Sequence, residues 1–150
     1  MIIDSHTHAW RRWPYQPPVP DPESRGIAEQ LLWEMDRHRV DKAVLVCARI
    51  EHNPDNNDYV AECVHRYPER LVQFADVDCS WTKTYHIPGA ASRLEEAARR
   101  YSLKGFTHYL KGDTEWFATD EGLDFFEKTA ELNLIASLAL SPRWQPALRN

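Results

Sequence analysis

The sequence predicts an α/β fold of parallel strands alternating with helices, and three observations carry that prediction. Five apolar runs, "MIID", "KAVLVCA", "LVQFADV", "LKGFTHYL" and "LIASLAL", punctuate the chain, and from the second onward they recur at about thirty residues, the length of a strand–helix–strand unit. The runs are nearly continuous rather than alternating, as suits strands covered on both faces. Between them, apolar residues fall at the i, i+3, i+4, i+7 spacing of a helix with one buried face. A closed barrel and an open doubly wound sheet both satisfy these patterns.

Taken in order, "MIID" is the first strand, and "WPYQPPVPDP" is a long loop after it. Asp21 and Pro22 read as an N-cap and first helical position, ahead of a stripe formed by Ile27, Leu31, Met35 and His38. The second strand ends near Arg49, and Val60, Cys63, Val64 and Tyr67 mark the second helix. Asp76 and Asp78 end the third strand, and Leu94, Ala97, Ala98 and Tyr101 mark the third helix. The fourth strand carries His108 near its end. A fourth helix runs from about Asp120 through Leu123, Phe126 and Ala130, with Asn133 as its end. After the fifth strand, "PRWQPALRN" reads as the start of another helix. With no linker and no low-complexity segment, residues 1–150 are expected to form one domain.

Composition narrows the function. The chain has 150 residues, 43% hydrophobic and 27% charged, with a net charge of −5 from 18 basic and 23 acidic side chains. Without a block of Lys or Arg, no nucleic-acid footprint is expected. The longest apolar run is too short to span a bilayer, and the start shows no signal-peptide pattern. Cys47, Cys63 and Cys79 are scattered and read as reduced thiols. The expectation is a cytoplasmic protein, with no membrane partner, acting on a small molecule.

The chemistry concentrates in "DSHTH". Side chains repeat every two residues along a strand, so His6 and His8 point to one side, as two metal ligands or an acid/base pair must. They follow "MII" and so sit at the C-terminal end of a buried strand, where sites of parallel α/β folds gather. Asp4 would orient an imidazole or make a structural hydrogen bond. Arg49 is positioned to clamp a substrate carboxylate or to form a surface ion pair. His108 would polarise a carbonyl or transfer a proton, or be a satisfied histidine of the strand wall. Asp78 reads as a loop cap, and Lys104 lies at the wrong end of its strand for a metal. His38, His52, His65 and His86 read as solvated or structural. Aromatic residues cluster in the loops: Trp10, Trp13 and Tyr15, then Trp81 and Tyr85, then Trp116 and Phe117. They would wall a pocket for a small ring, with Trp10 binding substrate, or pack against one another or a partner.

"IIDSHTHAW" resembles the first-strand motif of the amidohydrolase superfamily. "EMDRHRVDKAVLV", "RYPERLVQFADVD" and "LKGF" are similar to one branch, amidohydrolase-2, whose members include lactonases and decarboxylases. The resemblance implies the N-terminal half, about five strands, of a TIM (β/α)8 barrel. It also implies a divalent metal, usually zinc, with His6 and His8 as ligands. The other ligands implied are histidines of strands five and six and an aspartate of strand eight. "LIASLALSP" has no histidine, and strands six and eight have no counterpart here. Some members work without metal.

Five parallel strands do not close, so the chain is expected to be a truncated piece of a longer product or to be completed by another chain or a second copy. The function expected is metal-dependent hydrolysis of a small ester, lactone or amide. The alternatives are decarboxylation of a small aromatic or unsaturated acid, or a non-catalytic half-barrel that needs a partner chain.

Overall fold

The computed structural model describes residues 1–112 and 114–141. The strands are β1 (Ile3–Thr7), β2 (Lys42–Val46), β3 (Leu71–Asp76), β4 (Gly105–Tyr109) and β5 (Ile135–Ala139). Helices α1 (Ala28–His38), α2 (Asn56–Arg66), α3 (Ala90–Tyr101) and α4 (Asp120–Glu131) alternate with them, and a 3-10 turn (Thr114–Ala118) precedes α4. The sheet takes the strands in chain order, β1-β2-β3-β4-β5. The expected helix start in "PRWQPALRN" lies outside the described residues.

The chain divides into two compact units, Met1–Phe74 and Ala75–Asn150. In the first, β1 pairs in parallel with β2, Ile3 opposite Lys42 and Thr7 opposite Leu45, with a shift of register between Asp4 and Thr7. β2 pairs in parallel with the start of β3, Ala43 opposite Leu71 and Val46 opposite Phe74. Ala43, Leu45 and Cys47 pack under Ala28 and Met35 of α1 and Tyr59, Val60 and Cys63 of α2. These helix residues recur every three to four positions, so burial selects one face of each helix.

In the second unit, β4 and β5 are parallel and in unbroken register from Gly105–Ile135 to Tyr109–Ala139. The end of the third strand run joins β4 through Val77 N–H on the Thr107 carbonyl. Leu94 of α3, Phe106 of β4 and Phe125 of α4 are fully buried at the centre of this unit.

Two expectations need correction. Helix α1 begins at Ala28 with Ile27 at its N-cap, not at Asp21–Pro22. The Asp21 carbonyl instead accepts from Ser24 and Arg25 N–H, closing a turn. Gly26 then takes φ +76°, and a Cβ there would come within 3.1 Å of Trp10 Cδ1. The positive φ breaks the helical path and lets Trp10 N–H reach the Gly26 carbonyl at 2.7 Å. The second correction concerns burial on both faces. β2, β3 and β4 are largely buried, but β1 is mostly exposed, and Ile135 opens β5 at 61% exposure. These two strands, β1 and β5, are the end strands of the five.

Helix ends agree better with the sequence. α4 stops at Glu131, and Asn133 is left-handed at φ 52°, a conformation asparagine tolerates at helix C-termini. Among the described residues, no helix is long and apolar enough to cross a membrane.

Candidate active site

In the first unit, His6 on β1 and His8, one residue past its end, lie in one neighbourhood. Their ring centroids lie 5.2 Å apart, edge to face. His6 is exposed and His8 half-buried. His8 Nδ1 lies 2.7 Å from the Val46 carbonyl oxygen at the end of β2. A carbonyl only accepts, so Nδ1 carries the hydrogen and the lone pair of neutral His8 sits on Nε2. Burial lowers the His8 pKa; the Val46 bond opposes this and the neighbouring His6 adds to it. Asp4 does not orient an imidazole: its carboxylate accepts from the His6 backbone N–H at 3.0 Å.

Trp10 is 2% exposed and stacks on His8 at 5.5 Å, so its indole backs the imidazole. Tyr15 meets both Trp10 and Trp13 edge-on. Arg49, half-buried, lies three residues past β2 in the same unit.

Two asparagines that the sequence reading passed over fix this loop. Asn56, 1% exposed, accepts from Ala48 N–H and donates to the Ala9 carbonyl, both at 2.9 Å. Asn53, also 1% exposed, accepts from Arg12 N–H and donates to the Arg12 carbonyl. Each amide closes a pair of backbone bonds, which keeps the segment after His8 in place. The polar run "NPDNND" was the only trace of this in the sequence, and it reads equally as a solvated loop.

The second unit gathers the remaining candidates. His108 has 0% exposure. Its Nδ1 lies 3.0 Å from the Val77 carbonyl oxygen, and its Nε2 lies 3.1 Å from Nε2 of His86. Burial lowers the His108 pKa; the Val77 bond opposes this, His86 adds to the lowering, and Asp78 and Asp76 oppose it. His86, expected to be solvated or structural, is half-buried against His108. It is sandwiched between Tyr85 at 3.8 Å and Trp116 at 4.1 Å.

The loop that carries His86 is clasped by Arg93 of α3. The guanidinium donates to both oxygens of Asp78, which is 3% exposed, and to the carbonyls of Thr84, Ile87 and Pro88. Glu121 Oε1 accepts from Gly89 and Ala90 N–H at the start of α3, each at 2.7 Å. Asp78 is therefore the anchor of an ion pair. Asp76 accepts from Trp81 Nε1 at 2.7 Å. Thr119 caps α4 through Gly122 N–H and donates to the Trp116 carbonyl at 2.6 Å, holding the turn that presents Trp116. An alanine Cβ at Gly122 would collide with that same carbonyl oxygen.

Among the described residues, no group of three or more His, Cys, Asp or Glu is placed to hold a metal ion. The sequence as a whole matches the amidohydrolase family over residues 3–148. The chain belongs to the amidohydrolase family.

Solved structures agree on the fold. The chain is similar to a probable 2-pyrone-4,6-dicarboxylic acid hydrolase of Acinetobacter baumannii with citric acid bound. The TM-score is 0.66 and the identity 20%, over 95% of this chain and 51% of that one. It is similar to 4-oxalomesaconate hydratase of Rhodopseudomonas palustris, with a TM-score of 0.64 and 18% identity over 98% and 55%. It is also similar to a 5-carboxyvanillate decarboxylase mutant of Novosphingobium aromaticivorans with manganese and 3-methoxy-4-hydroxy-5-nitrobenzoic acid bound. There the TM-score is 0.58 and the identity 21%, over 85% and 40%. This amidohydrolase-family chain thus spans about half the length of these structures or less. Its fold is a run of parallel β/α units of the kind expected for half of a TIM barrel. A comparison with curated proteins gave no match.

Proposed function

We propose that the chain carries the metal-binding strand of an enzyme that hydrolyses a small ester, lactone or amide. The observation that carries the reading is the His8–Val46 bond of 2.7 Å. It fixes the tautomer that leaves Nε2 free to ligate, and tying the far nitrogen of a ligating histidine to a carbonyl is how metal sites orient their imidazoles. Burial keeps His8 neutral, the form a divalent ion requires. His6 and His8 therefore fit as two donors of a larger set. Zinc suits two imidazoles well, and manganese in the decarboxylase of similar fold supports a divalent ion more generally. A bound ion would lower the pKa of a water and polarise the substrate carbonyl. Trp10 backs the His8 ring, Arg49 pairs with a substrate carboxylate, and His108 is assigned proton transfer.

Decarboxylation of a small aromatic acid is the second reading. It is favoured by the similarity to a 5-carboxyvanillate decarboxylase.

The whole protein, purified with its metal, decides between them. Metal analysis should give a divalent ion that is lost in His6→Ala and His8→Ala, with turnover of lactones or esters falling more than about 100-fold. Release of carbon dioxide from aromatic acids, with lactones and esters untouched, moves the conclusion to the second reading. Full activity in metal-free protein overturns the ligand role of His6 and His8.

The 150 residues are proposed to need a completing chain or a second copy, because Ile2, Ile3 and Ile135 are 56%, 48% and 61% exposed on strands or their ends. Edge strands with apolar side chains invite pairing. Light scattering after size exclusion should report an assembly for these residues, and a well-behaved monomer would refute it.

A further inference from the structure

His86 and His108 meet nitrogen to nitrogen, with 3.1 Å between their Nε2 atoms. A hydrogen bond at that distance needs one proton, on one nitrogen only. The other end of His108 settles which. Its Nδ1 faces the Val77 carbonyl at 3.0 Å, an acceptor only, so neutral His108 carries its hydrogen on Nδ1 and has a bare Nε2. His86 must then donate, and its neutral form carries the hydrogen on Nε2.

The surroundings separate the two rings further. His108 has 0% exposure, with the Phe125 ring centroid at 5.5 Å. His86 is half-buried between the parallel faces of Tyr85 and Trp116, at interplanar angles of 19° and 5°. An imidazolium between two aromatic faces gains a cation–π attraction. Of the charged groups on neighbouring elements, Asp78 and Asp76 favour charge on His108, but burial of that ring outweighs them. Asp78 is paired with Arg93, Asp76 accepts from Trp81, and Glu121 caps α3. Lys111 sits over the Tyr85 ring at 5.9 Å, and Glu115 is exposed.

We propose that His86 is the proton-holding partner of His108: the pair takes up one proton beyond its neutral complement, that proton resides on His86, and His86 keeps Nε2 of His108 an acceptor. The added proton bonds to Nδ1 of His86, which becomes the imidazolium while still donating from Nε2. Passing that Nε2 proton to Nε2 of His108 moves the charge inward, with one N–H bond broken and one formed. The catalytic meaning rests on the proton-transfer role proposed for His108, whereas the pair itself does not.

Nitrogen NMR of the whole protein labelled at histidine, from pH 8 to pH 5, tests this. The wild type should show His108 protonated at Nδ1 and His86 at Nε2. On acidification the imidazolium signature should appear at His86 while His108 stays neutral. In His86→Gln, the amide still donates but no ring titrates, so His108 should keep its tautomer and the titration should vanish. His108 protonated at Nε2 in the wild type, or charging before His86, overturns the proposal, and neither reading needs a variant that folds. The metal and hydrolase assays read the functional proposal separately, since their failure leaves the ring tautomers where they are.

Discussion

His8 donates Nδ1–H to the Val46 carbonyl across the β1–β2 pair at 2.7 Å, whereas His6, two residues earlier, is exposed and makes no comparable bond among those seen. Equal roles toward a metal should therefore come with unequal roles in stability. His8→Ala removes a partly buried hydrogen bond and the stack on Trp10, a loss of about 2 kcal/mol. His6→Ala should change stability by no more than about 0.5 kcal/mol. Urea unfolding of the metal-free variants checks the split, and equal destabilisation would remove the special place of His8.

Burial lowers the pKa of His108 below the ordinary 6.5. The unfolded chain then binds a proton more readily than the folded one, so stability is full above about pH 6.5 and falls as pH drops through the folded value. The slope from one such ring is at most about 1.4 kcal/mol per pH unit. Between pH 7.5 and 5, His108→Gln should lose less unfolding free energy than the wild type. Equal losses would mean that the ring is not held neutral.

The order of strands and helices was legible because it follows from residue types at fixed periods. The nearness of the His6 and His8 rings was legible from their two-residue spacing, even though His8 lies one residue past β1. The partnership of His86 and His108 was not, because the residues are 22 apart and only the path of the β3–α3 loop brings them together. Asn53 and Asn56 were hidden because a buried amide and a solvated one have the same letter. The false helix start at Asp21–Pro22 shows the limit of local signals, since the same two residues open a turn equally well.

Arg93 is the clasp of the loop that presents His86. Arg93→Met would leave Asp78, 3% exposed, as a buried carboxylate without its guanidinium, a loss of about 3 kcal/mol or more. Asp78→Asn in the same chain removes the stranded charge and should recover part of that loss. A double-mutant cycle by chemical denaturation measures the coupling. Additive effects of the two substitutions would show that the ion pair does not fasten the loop.

Asn56 ties the residue after His8 to the end of the second strand run. Its amide accepts from Ala48 N–H and donates to the Ala9 carbonyl with 1% exposure. Asn56→Asp keeps the acceptor and the shape but, when ionised, sets a carboxylate against the Ala9 carbonyl at a position with 1% exposure. The folded state therefore favours the protonated acid, which donates as the amide did. A carboxyl whose folded pKa is raised stabilises below its unfolded value near 4 and loses that contribution as pH rises. Asn56→Asp should be destabilised by about 3 kcal/mol at pH 7 and recover much of the deficit by pH 4.5, whereas Asn56→Ala, with both backbone groups orphaned, should lose about 2–3 kcal/mol at either pH. Because Ala9 adjoins His8, metal affinity of Asn56→Asp should follow the same pH trend relative to wild type. Stability of Asn56→Asp equal to wild type at pH 7 would show that the amide does not hold the segment after His8.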